Sequence, residues 1–224
     1  MKLAVLFSGG KDSCYALYKA SKEHEITCLL SVISKNPESY MFHTPNIELT
    51  KIQAKAMELP LITKTTEGEK ELELNDLKLL IQTAVAKYNI EGVVTGALAS
   101  VYQATRVQKI CDQLGLWCFN PIWQMDQVEL LNELKKNKFQ TVIVGVFAYP
   151  LDDSYLGKKI TKNMIDKLIQ LSKKYKINPA GEGGELETFV TNAPMFKKKI
   201  KIKKSEIEYE NHAGILLIKE AELE

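Results

Sequence analysis

The sequence predicts an α/β protein: a doubly wound, mainly parallel sheet followed by a smaller C-terminal α+β portion. Three observations carry that reading. Apolar runs alternate with helix-period segments over the first two-thirds of the 224 residues. The runs are apolar on both faces, as strands covered by helices on both sides must be. Past about Tyr149 the pattern breaks at Pro150 and Asp152-Asp153 and gives way to one helix and short strands. The expected division is therefore 1–149 for the sheet domain and 150–224 for the second portion.

In order, strands are expected at Leu3–Phe7, Ile26–Ile33, Leu61–Lys64, Gly92–Thr95, Leu116–Phe119 and Thr141–Phe147. Helices are expected at Ser13–Lys22, Ile47–Glu58, Glu69–Tyr88, Ser100–Leu114, Gln127–Lys136 and Thr161–Tyr175, where apolar residues recur at helical spacing. Beyond these, lysines at 199, 201 and 203 and glutamates at 206, 208 and 210 each alternate with apolar residues. That pattern suggests a hairpin turning near Lys204-Ser205, with lysines opposite glutamates and the isoleucines and Tyr209 inward.

Composition narrows the function classes. Thirty basic against 28 acidic residues leave a net charge of +2, which gives no global argument for nucleic acid or an anionic membrane. The lysine run from 197 to 204 has acidic partners available and no interleaved aromatics, so a solvated strand is favoured over an RNA-binding stripe. No apolar run approaches the ~20 residues of a spanning helix. The short N-terminal apolar stretch ends in glycines and reads as a strand, not a leader. Four cysteines without framework or C-x-x-C spacing point to reduced thiols and a cytoplasmic location.

Ligands of doubly wound sheets sit beyond the carboxyl ends of the strands. The first such loop is Ser8-Gly9-Gly10-Lys11-Asp12-Ser13. Its glycines allow close backbone approach, and the N-terminus of the following helix suits an anion. The hydroxyls of Ser8 and Ser13 and the Lys11 ammonium complete a phosphate cradle, and Asp12 calls for a shared Mg²⁺. A second motif, Gly96 to Arg106, follows the fourth strand: Gly96 permits a sharp turn, Ser100 caps a helix, and Tyr102, Gln103 and Arg106 project from its first turns. Arg106 offers a planar donor fork for phosphate or carboxylate. A third, Gly181-Glu182-Gly183-Gly184-Glu185-Leu186-Glu187-Thr188-Phe189-Val190, sets three glutamates among glycines, which calls for a cationic counterpart. His43, after the second strand, and Glu73, at a helix start, are weaker candidates.

The first motif resembles the PP-loop of N-type ATP pyrophosphatases, which implies a Rossmann-like (HUP-type) sheet and cleavage of ATP to AMP and pyrophosphate. Together, S-G-G-K-D-S, G-A-L-A-S-V-Y-Q-A-T-R and E-G-G-E-L-E-T-F-V resemble the diphthine–ammonia ligase family. The likeness runs in order along almost the whole chain, through Ser39–His43 and Leu151–Gly157. It implies ATP and Mg²⁺ as cofactors, elongation factor 2 carrying diphthine as protein substrate, and free ammonia as nitrogen donor. The implied roles are catalysis for Lys11, Asp12 and Arg106, and ATP binding for Ser8, Gly9, Gly10, Lys11, Asp12, Ser13 and Gly96. Tyr102, Gln103, Glu182, Glu185, Glu187, Glu73 and His43 would contact the substrate, with Glu182, Glu185 and Tyr102 around the fixed trimethylammonium. Two other readings stay open: an RNA-modifying PP-loop enzyme of the tRNA thiolase or lysidine-synthetase type, and an ATP-binding sensor without turnover.

Overall fold

The computed structural model describes residues 1–36 and 45–224. A five-stranded parallel sheet is built from β1 (Lys2–Leu6), β2 (Glu25–Ser34), β3 (Leu61–Thr66), β4 (Gly92–Val94) and β5 (Trp117–Phe119), in the order β3-β2-β1-β4-β5. The order reverses between β1 and β4, so a crevice opens beyond their carboxyl ends. Alternation along β1 serves both faces. Leu3, Val5 and Phe7 enter one core; Ala4 and Leu6 enter the other, beneath helices α3 (Glu73–Tyr88) and α4 (Val101–Leu114).

On the first face lie α1 (Lys11–Ala20) and α2 (Thr50–Met57), and against them a second, antiparallel sheet. Its strands are β6 (Gln140–Val146), β7 (Leu186–Asn192), β8 (Ile200–Glu210) and β9 (Ala213–Leu223), in the order β7-β6-β9-β8. Helices α5 (Gln127–Lys136) and α6 (Lys162–Tyr175) flank it, and one hydrophobic core joins Leu29 and Leu17 to Ile143, Phe189 and Leu216. Side-chain caps from Ser100, Asp126 and Thr161 close the N-termini of α4, α5 and α6. By contrast, α1 starts at Gly10, which has no side chain to close it.

The structure corrects two expectations. Strand 141–147 does not extend the parallel sheet: β6 is antiparallel to β7 and β9, so the sheets part between β5 and β6, upstream of residue 149. An apolar run alone does not distinguish a central parallel strand from a central antiparallel one. Nor does a hairpin form at Lys204-Ser205. β8 runs unbroken to Glu210, and the chain turns at Asn211-His212, whose φ values of 50° and 64° suit a tight hairpin turn. The lysines face glutamates in and just beyond β9 instead, Lys203 to Glu222 at 2.8 Å and Lys201 to Glu224 at 2.6 Å. Ile200 is buried as expected, but Ile207 is 52% and Tyr209 37% exposed.

Candidate active site

The switch-point crevice is a cleft of about 680 Å³. Ser8, Lys11, Asp12 and Ser13 line it on one side, and Glu182 and Glu187 on another. Gly96 and Gln103 line it too, over an apolar wall that includes Leu6, Leu30, Val32 and Val107.

The glycine loop is held by contacts from distant parts of the chain. Gly9, at φ +81°, turns its carbonyl to accept from Gln53 Nε2 at 2.9 Å and Val190 N at 3.0 Å. A Cβ there would stand 2.2 Å from Gln53 Oε1. The Lys11 N–H donates to Thr188 Oγ1 at 3.1 Å. Within the loop, the Ser8 and Ser13 hydroxyl oxygens lie 3.2 Å apart, and the Ser13 hydroxyl also bonds Gly10 O. Gly96 presses against the start of α1: a Cβ on it would lie 2.8 Å from Ser13 N. Gly9 and Gly10 thus shape the loop from behind, while the serines, Lys11 and Asp12 face the cleft.

Lys11 is almost fully buried and pairs with Asp12 Oδ2 at 2.8 Å. Asp12 Oδ1 is also buried and has no hydrogen-bond partner among the described residues. The orphaned carboxylate oxygen fits a divalent cation, shared with a phosphate that the open helix N-terminus would favour. No group of three metal-ligating side chains occurs among the described residues, so such an ion would complete its shell from phosphate and water.

The three motif glutamates part company. Glu185 does not line the cleft. Its Oε1 accepts from Asn178 N and Nδ2, both at 2.8 Å, and its Oε2 from Gly183 N at 2.8 Å. Those donors, rather than a cationic ligand, satisfy it, and it braces the loop. Glu182 reaches across the cleft to accept from Ala99 N at 2.7 Å. Burial raises its pKa, the Ala99 N–H opposes the rise, and Asp12 adds to it. Glu187 makes no hydrogen bond or ion pair among the described residues. It lies deep in the cleft wall, where burial pushes it up to about 7, against the pull of Lys11 and with a further push from Asp12. Its neighbour is Phe147, whose ring shares with Glu187 the space above Gly145.

Arg106 and Tyr102 stand outside the cleft wall. The guanidinium lies 3.4 Å over the Tyr102 ring and pairs with Glu71, which also accepts from the Tyr102 hydroxyl at 3.2 Å. The face of Tyr102 is therefore occupied by Arg106, and Glu71 is held below the usual carboxylate range chiefly by its bond to Arg106. Glu73 is buried in the first turn of α3, away from the cleft lining. His43 and the rest of Ser39–His43 fall outside the described residues.

Gln53, Thr188 and Phe147 did not emerge from the sequence. Gln53 offered a signal, a polar residue beside the buried Ala54, Ala56 and Met57 of α2. Thr188 lies inside the third motif, but its tie to Lys11 spans 177 residues.

Comparisons with known proteins agree along the chain. Residues 1–118 match the family profile described as diphthamide synthase N-terminal domain, and residues 126–223 the C-terminal domain. A diphthine–ammonia ligase of Bos taurus is 37% identical, over 92% of this chain and 85% of that protein. The Homo sapiens protein of that name is 37% identical over the same shares. The Schizosaccharomyces pombe one is 34% identical over 92% of this chain and 37% of its own length. Among solved structures, "predicted subunit of tRNA methyltransferase" from Methanocaldococcus jannaschii has a TM-score of 0.46 at 15% identity, covering 87% of this chain and 98% of that one.

Proposed function

The chain belongs to the diphthine–ammonia ligase family, and from that premise we propose that its cleft joins ammonia to the carboxylate of diphthine on elongation factor 2 through an acyl-adenylate. As a member of that family it is an ATP-dependent ligase of diphthamide synthesis. One observation supports the finer reading best: Lys11 and Asp12 share a single cleft with two accessible carboxylates, Glu182 and Glu187.

In this reading Ser8, Lys11, Ser13 and the first turn of α1 hold the phosphates of ATP, and the wall of Leu6, Leu30 and Val32 takes the base. Asp12 would hold Mg²⁺, which offsets charge on the phosphates when bound. Gly9, Gly10 and Gly96 let the loop pack closely against Gln53, Thr188 and the start of α1, and so hold the cradle in shape. The diphthine carboxylate forms a bond to the α-phosphorus, and the bond from that phosphorus to the oxygen bridging to the β-phosphate breaks, releasing pyrophosphate. Ammonia nitrogen then bonds to the carbonyl carbon, the bond from that carbon to the oxygen of AMP breaks, and one proton leaves the nitrogen for water. Fixed placement and charge stabilisation supply most of the acceleration.

Diphthine also carries a trimethylammonium group. Because Glu185 is spent on the loop and the Tyr102 face on Arg106, the cation is assigned to Glu182 and Glu187 with the ring of Phe147. Gln103 contacts the substrate from α4. Arg106, Tyr102 and Glu73 support the neighbouring rim and do not touch the reacting atoms.

The test is incubation with ATP, Mg²⁺, ¹⁵N-ammonium and elongation factor 2 bearing diphthine. The expected result is AMP together with ¹⁵N at the modified histidine. AMP without label would redirect the search towards an RNA acceptor.

A further inference from the structure

β8 ends the antiparallel sheet and pairs with β9 alone among the described strands. Eleven residues long, it leaves an outer edge of alternate N–H and C=O groups for which the described strands provide no partner. A bulge between Ile202 and Ser205 shifts its alternation by one residue. As a result Lys201, Lys203, Glu206, Glu208 and Glu210 share the solvated face, while Ile200, Ile202, Ile207 and Tyr209 share the other.

Charge on that strand is segregated, basic in its first half and acidic in its second. β9 answers only part of it. Lys201 and Lys203 meet Glu224 and Glu222, and Glu206 meets Lys219 at 3.4 Å. Glu208 and Glu210, however, lie opposite Ile215 and Ala213 and make no ion pair among the described residues. The acidic end of the strand thus repels itself, and beneath it Ile207 and Tyr209 are the exposed apolar residues.

We infer that β8 is a self-complementary edge that pairs antiparallel with β8 of a second copy of this chain, continuing the sheet across a two-fold axis. In that arrangement Lys201 and Lys203 of each copy face Glu210 and Glu208 of the other, and Ile202 meets Tyr209 on the opposite face. A parallel alignment would set like charge on like. Isologous contact of this kind, residue i on j and j on i, is what a two-fold dimer requires. The interface is small and charge-dependent, so dimerisation follows concentration and weakens with salt.

The test is sedimentation equilibrium of the full chain from about 1 to 300 µM. Wild type is expected to move from 25.3 kDa towards twice that mass, and to shift back as salt is raised. E208K/E210K and K201E/K203E are each expected to stay monomeric, while an equimolar mixture of the two restores a heterodimer. Circular dichroism and ATP turnover, expected to match wild type, establish that both variants are folded. Wild type remaining at 25.3 kDa throughout would overturn the inference. So would a dimer indifferent to both charge reversals, or a mixture that fails to associate.

Discussion

The phosphate loop and the glutamate loop face each other across one cleft, yet they are built by opposite means. Residues 8–13 are fixed from outside, by Gln53, Thr188, Val190 and the close approach of Gly96. Residues 178–187 are fixed largely by a local tie, Glu185 gathering the N–H groups of Asn178 and Gly183. In both, about half of the motif holds the loop while the other half is presented to ligand. A motif read as one functional unit conceals that division.

The comparison breaks first at the glycines. Gly96→Ala drives a Cβ into the Ser13 backbone, and Gly9→Ala puts one at φ +81° and against the Gln53 side chain; displacing the cradle by even an ångström is expected to lower AMP formation about 100-fold. Turnover near wild type in either variant would contradict the packing account of the loop.

Among the glutamates the expected effects separate. Glu185→Ala leaves three part-buried N–H groups without their charged acceptor and should lower unfolding stability by about 1–3 kcal/mol in urea titration. Glu182→Gln keeps an acceptor for Ala99, so stability should stay within about 0.5 kcal/mol. Its expected signature is a raised KM for the protein acceptor with the KM for ATP unchanged.

Glu187 sharpens the contrast through pH. Its folded-state value, about 7, lies above the ordinary 4.5, so the folded chain binds more protons between those values. Stability should therefore be greatest below about pH 4.5 as far as this group is concerned, and decline as pH rises towards 7, by about 3 kcal/mol. Glu187→Gln should flatten that decline in urea midpoints measured across the range.

The smallest effect is expected at Arg106. Its charge is engaged by Glu71 outside the cleft, so Arg106→Ala should change kcat by less than about threefold. A much larger loss would return Arg106 to the reacting groups.

Most of the parallel sheet was readable because its strands carry apolar residues on both faces and each is followed by a helix of clear period. β6 and the turn of β8 were not, since strand direction and turn position depend on partners distant in sequence. Asn211-His212 adopts the turn without glycine, while the switch from alternating lysines to alternating glutamates at Lys204-Ser205 falls inside β8. At the site, Ser8, Lys11, Asp12, Ser13, Gly96 and Gln103 stood out as polar or glycine residues after strands, and Glu182 and Glu187 as glutamates among glycines ahead of one; all eight line the cleft. What composition could not say was that Glu185 finds its donors in its own loop, or that Arg106 finds Glu71 35 residues away.

The central claim is that the cleft activates a carboxylate as an adenylate before nitrogen arrives. The most direct measurement is exchange of labelled pyrophosphate into ATP, with elongation factor 2 bearing diphthine present and ammonium withheld. Exchange that requires the diphthine-bearing protein and is lost in Gly96→Ala is the predicted result. Equal exchange without the protein acceptor, or amidation proceeding with no exchange at all, would contradict the account.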